Sequence, residues 1–473
     1  MNDLIRLSAR QAVALLKKRQ VSPRELIDAA AERIAQTDGL INALPILCLE
    51  RAREHAERLE RNPPVDPPPW FLHGLPIAVK DLQEVAGVRT TFGSPIFAQN
   101  VPTRTEVSVQ RLENNGALVI AKSNTPEFGA GGNTFNEVFG ATLNPWHTSK
   151  TAGGSSGGSA AALAAGQVWL ATGSDLAGSL RTPASFCSVL GFRVSPGRVA
   201  SGPDITPWQS LAVVGPMARN VGDLALMLDA MAGQDPRDPR SLPRPEQSFS
   251  QAAREPRPPR RVAFSPDLGL GPVEAEVREI CTRAAQRFSE LGATVEQAAP
   301  DLSDSTEIFT PLRAARYVAA LAQHLPQNRH LLKPEVVGNI EQGLALSGPD
   351  IVRAEKGRGA LYQRAVEFFN TYDLLLTPAV AAAPFDVSIR YLEQMEGRRF
   401  DSYFGWLALA YAISLTACPA LSLPCGFTAS GLPVGLQVVG PPRGEAAVIS
   451  AAALFEELSG LAACTPLDPR PPA

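Results

Sequence analysis

Apolar and polar positions change their spacing several times along this chain, and each change predicts an element. Near the N-terminus Leu26, Ala30 and Ile34 recur on one helical face. They follow Ser22-Pro23-Arg24-Glu25, in which the serine can cap, the proline suits the first helical position and the glutamate can reach back. Ser8 and Gln11 predict an earlier helix towards Arg19 in the same way. After the proline-rich connection Pro63–Pro69 the spacing becomes continuous. Leu75-Pro76-Ile77-Ala78-Val79 and Ala117-Leu118-Val119-Ile120-Ala121 read as buried strands, and alanine-rich Ser159–Leu170 as a helix packed on most sides.

Seven prolines among charges between Gln234 and Arg261 predict a surface crossover without a packed element. Beyond it, Arg261–Phe264 (strand), Glu274–Leu291 (helix) and Ala293–Val295 (strand) form a βαβ-like unit. Residues 301–370 read as largely helical, and short strands return at Leu374–Leu376 and Leu421–Leu423. Alternating strands and helices imply a mainly parallel or mixed sheet.

Composition narrows the classes. A chain of 473 residues with 45% hydrophobic and 19% charged residues has the make-up of a globular protein with a large core. Forty-four basic against forty-seven acidic side chains give a net charge of −3, without the basic excess that phosphate-backbone binding requires, so nucleic acid is not an expected partner. The six cysteines are scattered with no CxxC pair, which favours a reduced, cytoplasmic chain and argues against a sulfur-ligated metal. None of the five histidines has HxH or HExxH spacing, so a zinc hydrolase is disfavoured, and no metal or other cofactor is expected. Met1–Arg10 lacks the apolar core of a secretory signal. Trp406–Pro424 is apolar but carries Ser414, Thr416, Pro419 and Ser422, and reads as buried core rather than a membrane span.

Three polar residues carry the candidate chemistry. Lys80 stands at the carboxyl end of the predicted strand Leu75–Val79, where α/β proteins place ligand sites. Ser155 lies in Gly153-Gly154-Ser155-Ser156-Gly157-Gly158-Ser159. Such a run could be a flexible linker, but it opens directly into the alanine-rich helix, where glycines permit close backbone approach and free N–H groups. A phosphate loop is disfavoured, because neither GxxxxGK[ST] nor GxGxxG is present. Ser179 closes Gly173-Ser174-Asp175-Leu176-Ala177-Gly178-Ser179. A buried lysine amine can accept a proton at neutral pH if burial lowers its pKa by about 2 to 3 units.

These segments resemble the amidase signature family of serine hydrolases. The resemblance also takes in Lys122-Ser123-Asn124-Thr125-Pro126-Glu127-Phe128, Asn144-Pro145-Trp146, Pro419-Ala420-Leu421-Ser422-Leu423-Pro424-Cys425-Gly426 and Gly431-Leu432-Pro433-Val434-Gly435-Leu436-Gln437. It implies an α/β fold with a large mixed β-sheet core covered by helices on both faces. The expected organisation is one domain over 1–473, with N-terminal helices in 1–62, a catalytic core in 65–232, the crossover in 234–261 and a helical substrate-pocket region in 301–410.

The resemblance further implies that Ser179 is the nucleophile, Ser155 a bridging serine beside a cis peptide, and Lys80 the base. Backbone N–H groups of Leu176, Ala177, Gly178 and Ser179 would form the oxyanion hole. Gly129 and Ala130 would lie against the acyl group, and Asp175 and Arg181 would support the turn. Family members commonly carry glycine where Ala177 stands, and a positive φ there would make alanine costly by about 1 kcal/mol.

The activity implied is cleavage of the acyl C–N bond of a small amide, anilide or carbamate. The alternatives are a non-catalytic binding protein that keeps the fold and a glutamine-hydrolysing amidotransferase of the A type. The tRNA-dependent members usually carry Gln where Thr182 stands and Leu-Asp where Leu211-Ala212 stand, which favours a stand-alone hydrolase. The partner expected is a small-molecule substrate, with no membrane; self-association as a homodimer stays open.

Overall fold

The computed structural model describes residues 2–472. Its centre is an eleven-stranded mixed sheet. In chain order the strands are β1 (Ile46–Leu47), β2 (Leu75–Lys80), β3 (Ala117–Ser123), β4 (Leu170–Asp175), β5 (Leu190–Arg193), β6 (Val213–Ala218), β7 (Arg261–Phe264), β8 (Thr294–Gln297), β9 (Leu374–Pro378), β10 (Ala420–Phe427) and β11 (Pro433–Val439). Their order across the sheet is β1-β3-β2-β4-β6-β5-β10-β11-β9-β7-β8. β3, β2 and β4 run parallel to one another, as do β9, β7 and β8, and the strands between these two groups pair antiparallel.

β2 and β3 are buried at every position, as expected of strands covered on both faces. Their parallel alignment with β4 brings three carboxyl ends to one edge: Lys80, Ser123, and the pair Ser174 and Asp175. An α/β sheet places a ligand site at such an edge.

Both N-terminal capping boxes form, on helices Ala9–Lys17 and Pro23–Ile41. Three expectations change. The helix predicted over Ser159–Leu170 is Gly157–Ala164; Gly166, at φ +74°, ends it in a left-handed turn, and Leu170 begins β4. The proline-rich crossover contains a short packed helix, Phe249–Arg254, capped by Ser248 and with Phe249 buried. Asp229 fixes its start by accepting the N–H groups of Phe249 and Ser250, at 2.8 Å each. The helix over Glu274–Leu291 is α-helical from Ala275 to Gln286 and tightens to a 3₁₀ turn over Arg287–Leu291. Trp406–Pro424 is core, divided between helix Ala408–Leu415 and β10, and no helix among the described residues is long and apolar enough to cross a membrane.

Candidate active site

Lys80 is fully buried at the end of β2. Its Nζ lies 2.7 Å from Ser155 Oγ, 2.8 Å from Ser156 Oγ and 3.0 Å from Ser174 Oγ. The carboxylate next to it in sequence is engaged elsewhere: Asp81 accepts from Lys122 Nζ at 2.9 Å and from the backbone and hydroxyl of Thr91. Among the described residues no carboxylate lies within 4 Å of Lys80 Nζ. Burial therefore lowers the Lys80 amine to about 7, with the more distant Asp175 opposing only in part.

Three hydroxyl partners suit a neutral amine, which donates twice and accepts once. Ser156 Oγ donates to the carbonyl of Ser174, at 3.4 Å, and is thus free to accept from the lysine. Lys80 is the only described partner of Ser155 Oγ, leaving that hydroxyl able to pass its proton to the amine and take another. The Gly154–Ser155 peptide is cis. The next amide, Ser156 N–H, donates to the carbonyl of Ser179 at 3.1 Å, tying the glycine-serine loop to the turn that carries Ser179.

That turn is built on Asp175. Its carboxylate accepts the N–H groups of Gly178 (2.9 Å) and Leu180 (3.2 Å), and Arg181 Nε and Nη2 (3.0 and 2.8 Å), with Arg193 Nη1 at 3.4 Å. Burial alone would raise this carboxyl, but the two guanidinium groups and the Gly178 N–H hold it well below the usual carboxylate range. Arg181 continues to the carbonyl of Ala410, Ser414 Oγ and Gln437 Oε1, anchoring the turn to the far half of the sheet.

Gly178, expected among the oxyanion donors, thus gives its N–H to Asp175. Among the described residues the N–H groups of Leu176, Ala177 and Ser179 have no acceptor. The left-handed residue of the turn is Gly178, at φ +105°, and not Ala177. A Cβ on Gly178 would also stand 2.6 Å from that of Ala410. Alanine at 177 therefore carries no φ penalty.

Ser155, Ser174, Leu176, Ala177 and Ser179 open on a cavity of about 420 Å³. Gly129 lines it, and a Cβ there would come within 3.3 Å of Ser155 Oγ. Ala130 does not line it: this residue is buried in a cluster with Tyr317, Leu332 and Val336, and the cavity meets Phe128 and Gly131 instead. The region 301–410 supplies Arg313, Arg316, Tyr317, Leu321, Phe404 and Leu407. The loop 201–205 and residues Ala212–Val214 complete the wall, a contribution the hydrophobic pattern did not announce.

Sequence reasoning also missed Ser156 and Ser174, although both lie in the motifs that hold Ser155 and Ser179. The available signal was that a buried amine needs about three polar partners, and these hydroxyls are the nearest in sequence.

A family model described as Amidase matches residues 25–449. The chain belongs to the amidase signature family. An acylamidase of Rhodococcus erythropolis is 36% identical over 468 residues, covering 98% of this chain and 97% of that protein. The A component of the glutamyl-tRNA(Gln) amidotransferase of Anaeromyxobacter dehalogenans is 35% identical, covering 98% of each. The crystal structure of a bacterial aryl acylamidase of the same family superposes with a TM-score of 0.89 at 29% identity, over 98% of this chain and 99% of that one. This amidase signature hydrolase thus shares its fold over nearly its whole length with enzymes that act on C–N bonds.

Asp175→Ala would leave two buried guanidinium groups facing each other without an anion. The expected loss is about 3–5 kcal/mol of stability together with most of the activity. Thermal and denaturant unfolding of purified variant and parent protein measure it; an unchanged unfolding midpoint would contradict the role given to this carboxylate.

Proposed function

We propose that this chain is a serine hydrolase that cleaves the acyl C–N bond of small amides, above all anilides, through an acyl-enzyme on Ser179. The observation that carries the reading is the uncompensated amine of Lys80 in contact with Ser155, beside a turn that presents Ser179 to an apolar cavity. In this reading Ser179 Oγ attacks the carbonyl carbon while its proton passes to Ser155 and the Ser155 proton to Lys80. The carbonyl oxygen becomes an oxyanion held by the free N–H groups of Leu176, Ala177 and Ser179. Lys80 returns a proton through the same hydroxyl to the departing amine and the C–N bond breaks; water then attacks the ester, its proton passing by the same relay to Lys80 and back to Ser179 Oγ as the acid leaves. A carbamate presents the same carbonyl and leaving amine, so urethane cleavage belongs to the same chemistry.

The apolar part of the cavity wall suits an aryl or alkyl group. Leu82, Phe92, Phe128, Val213, Tyr317 and Leu407 give it aliphatic and aromatic surface. Thr182 and Ala212, where the amidotransferase pattern has Gln and Asp, support the stand-alone amidase over the amidotransferase reading that the 35% identity also suggests.

Ser179→Ala should lose all measurable turnover of a panel of anilides, primary amides and carbamates, followed by mass spectrometry of the products, while its melting temperature stays within a degree or two of the parent's. Full activity in the variant would overturn the assignment of the nucleophile.

The pH dependence follows from the lysine. Only the neutral amine accepts a proton, so kcat/KM should fall about tenfold per pH unit below about 7 and level off above it. A flat profile from pH 6 to 9 would count against the relay.

A further inference from the structure

The cavity that holds Ser179 also holds a buried cation that has no counter-ion among the described residues. Arg313, on helix Ser305–Leu321, is only 4% exposed and lines the cavity together with Tyr317 and Phe404. Its guanidinium lies against the rings of Tyr317, Tyr403 and Phe404, 4.8 to 5.0 Å from each centroid. Its hydrogen-bond partners among the described residues are both neutral, Asn339 Oδ1 and the hydroxyl of Tyr403. Burial raises the Tyr317 hydroxyl's pKa even against Arg313, so that ring offers no phenolate.

Among the described residues no carboxylate lies within 4 Å of this guanidinium, and the nearby acids are engaged. Asp204 pairs with Arg316 at 3.0 Å, Glu335 with Arg390 at 2.8 Å, Glu127 accepts from Ser94 and from the backbone of Lys333, and Glu106, which also lines the cavity, accepts from Ser108 and from the Gly202 N–H. A guanidinium removed from water without an anion is costly, and aromatic faces offset only part of that cost. Two neutral partners leave N–H groups of the planar fork free, the geometry that a carboxylate meets with two parallel bonds.

We propose that Arg313 is a specificity-determining residue that receives an anionic group, a carboxylate, carried by the substrate. This rests on the amide-hydrolase reading and narrows it to amides or anilides with an acid at the end remote from the scissile bond. The aromatic rings around the guanidinium would flank the carbon skeleton that bears the acid, and burial would strengthen the ion pair by excluding water.

The test compares matched substrates with the acid on either side of the amide: 4-acetamidobenzoate against acetanilide, and succinanilate against butyranilide. The parent enzyme should favour the carboxylated member of at least one pair by about 10- to 100-fold in kcat/KM, mainly through KM, the range of a charged hydrogen bond. Arg313→Met should abolish that preference, and Arg313→Lys should restore part of it. No preference in the parent, or a preference that survives in Arg313→Met, would overturn the proposal.

Calorimetric binding of the same four compounds to Ser179→Ala tests the site without turnover and without altering Arg313. Tighter binding of a carboxylated member supports the receptor role; equal dissociation constants within both pairs would overturn it. Should the parent hydrolyse none of the four, the hydrolase reading would fail for anilides, and the calorimetry would still decide on Arg313.

Discussion

A primary amine taken fully out of water, with no carboxylate beside it among the described residues, is the constraint around which this site is organised. Lys80 would ordinarily stay protonated far above neutral pH, and burial reverses that preference because the charged form loses its hydration. The reversal holds only while counter-charges are kept away. Lys122 therefore has a definite part although it touches none of the three serines around Lys80: it occupies Asp81, the carboxylate next to Lys80 in the chain. Hydroxyls complete the shell around the amine, satisfying its hydrogen bonds without fixing its charge.

The second charged centre works in the opposite sense. Asp175 is held as an anion by Arg181 and Arg193, and its two oxygens collect the N–H groups of Gly178 and Leu180. Folding the turn this way leaves the amides of Leu176, Ala177 and Ser179 without acceptors among the described residues and turns Ser179 towards the cavity. The two centres lie at the ends of neighbouring parallel strands, so sheet register alone brings them together. One is neutral and supplies a lone pair; the other is charged and supplies shape.

Much of this was legible in the chain. Continuous apolar runs marked β2 and β3, and with β2 the place of Lys80; the two serines followed from their glycine-rich settings and from resemblance to the family. Contacts that depend on register and long-range packing were not legible. The alanine-rich segment could not tell where the helix stops and β4 begins, because both are buried and Gly166 alone marks the break. The concern over Ala177 dissolves once the left-handed residue is seen to be Gly178, which local sequence could not distinguish within an Ala-Gly pair. That Arg193, 18 residues from Asp175, and the more distant Ser414 and Gln437 hold this turn is a matter of packing that no local spacing indicates. Loop 201–205, which closes the cavity, is polar and irregular and carried no periodicity to read.

The state of one amine is the point on which the whole account can be checked. Protein labelled with 13C at lysine Cε should show, by NMR titration, one resonance that moves with a midpoint of about 7 and vanishes in Lys80→Ala. A Lys80 that keeps its charge and titrates near the ordinary lysine value of about 10.4 would contradict the neutral-base account.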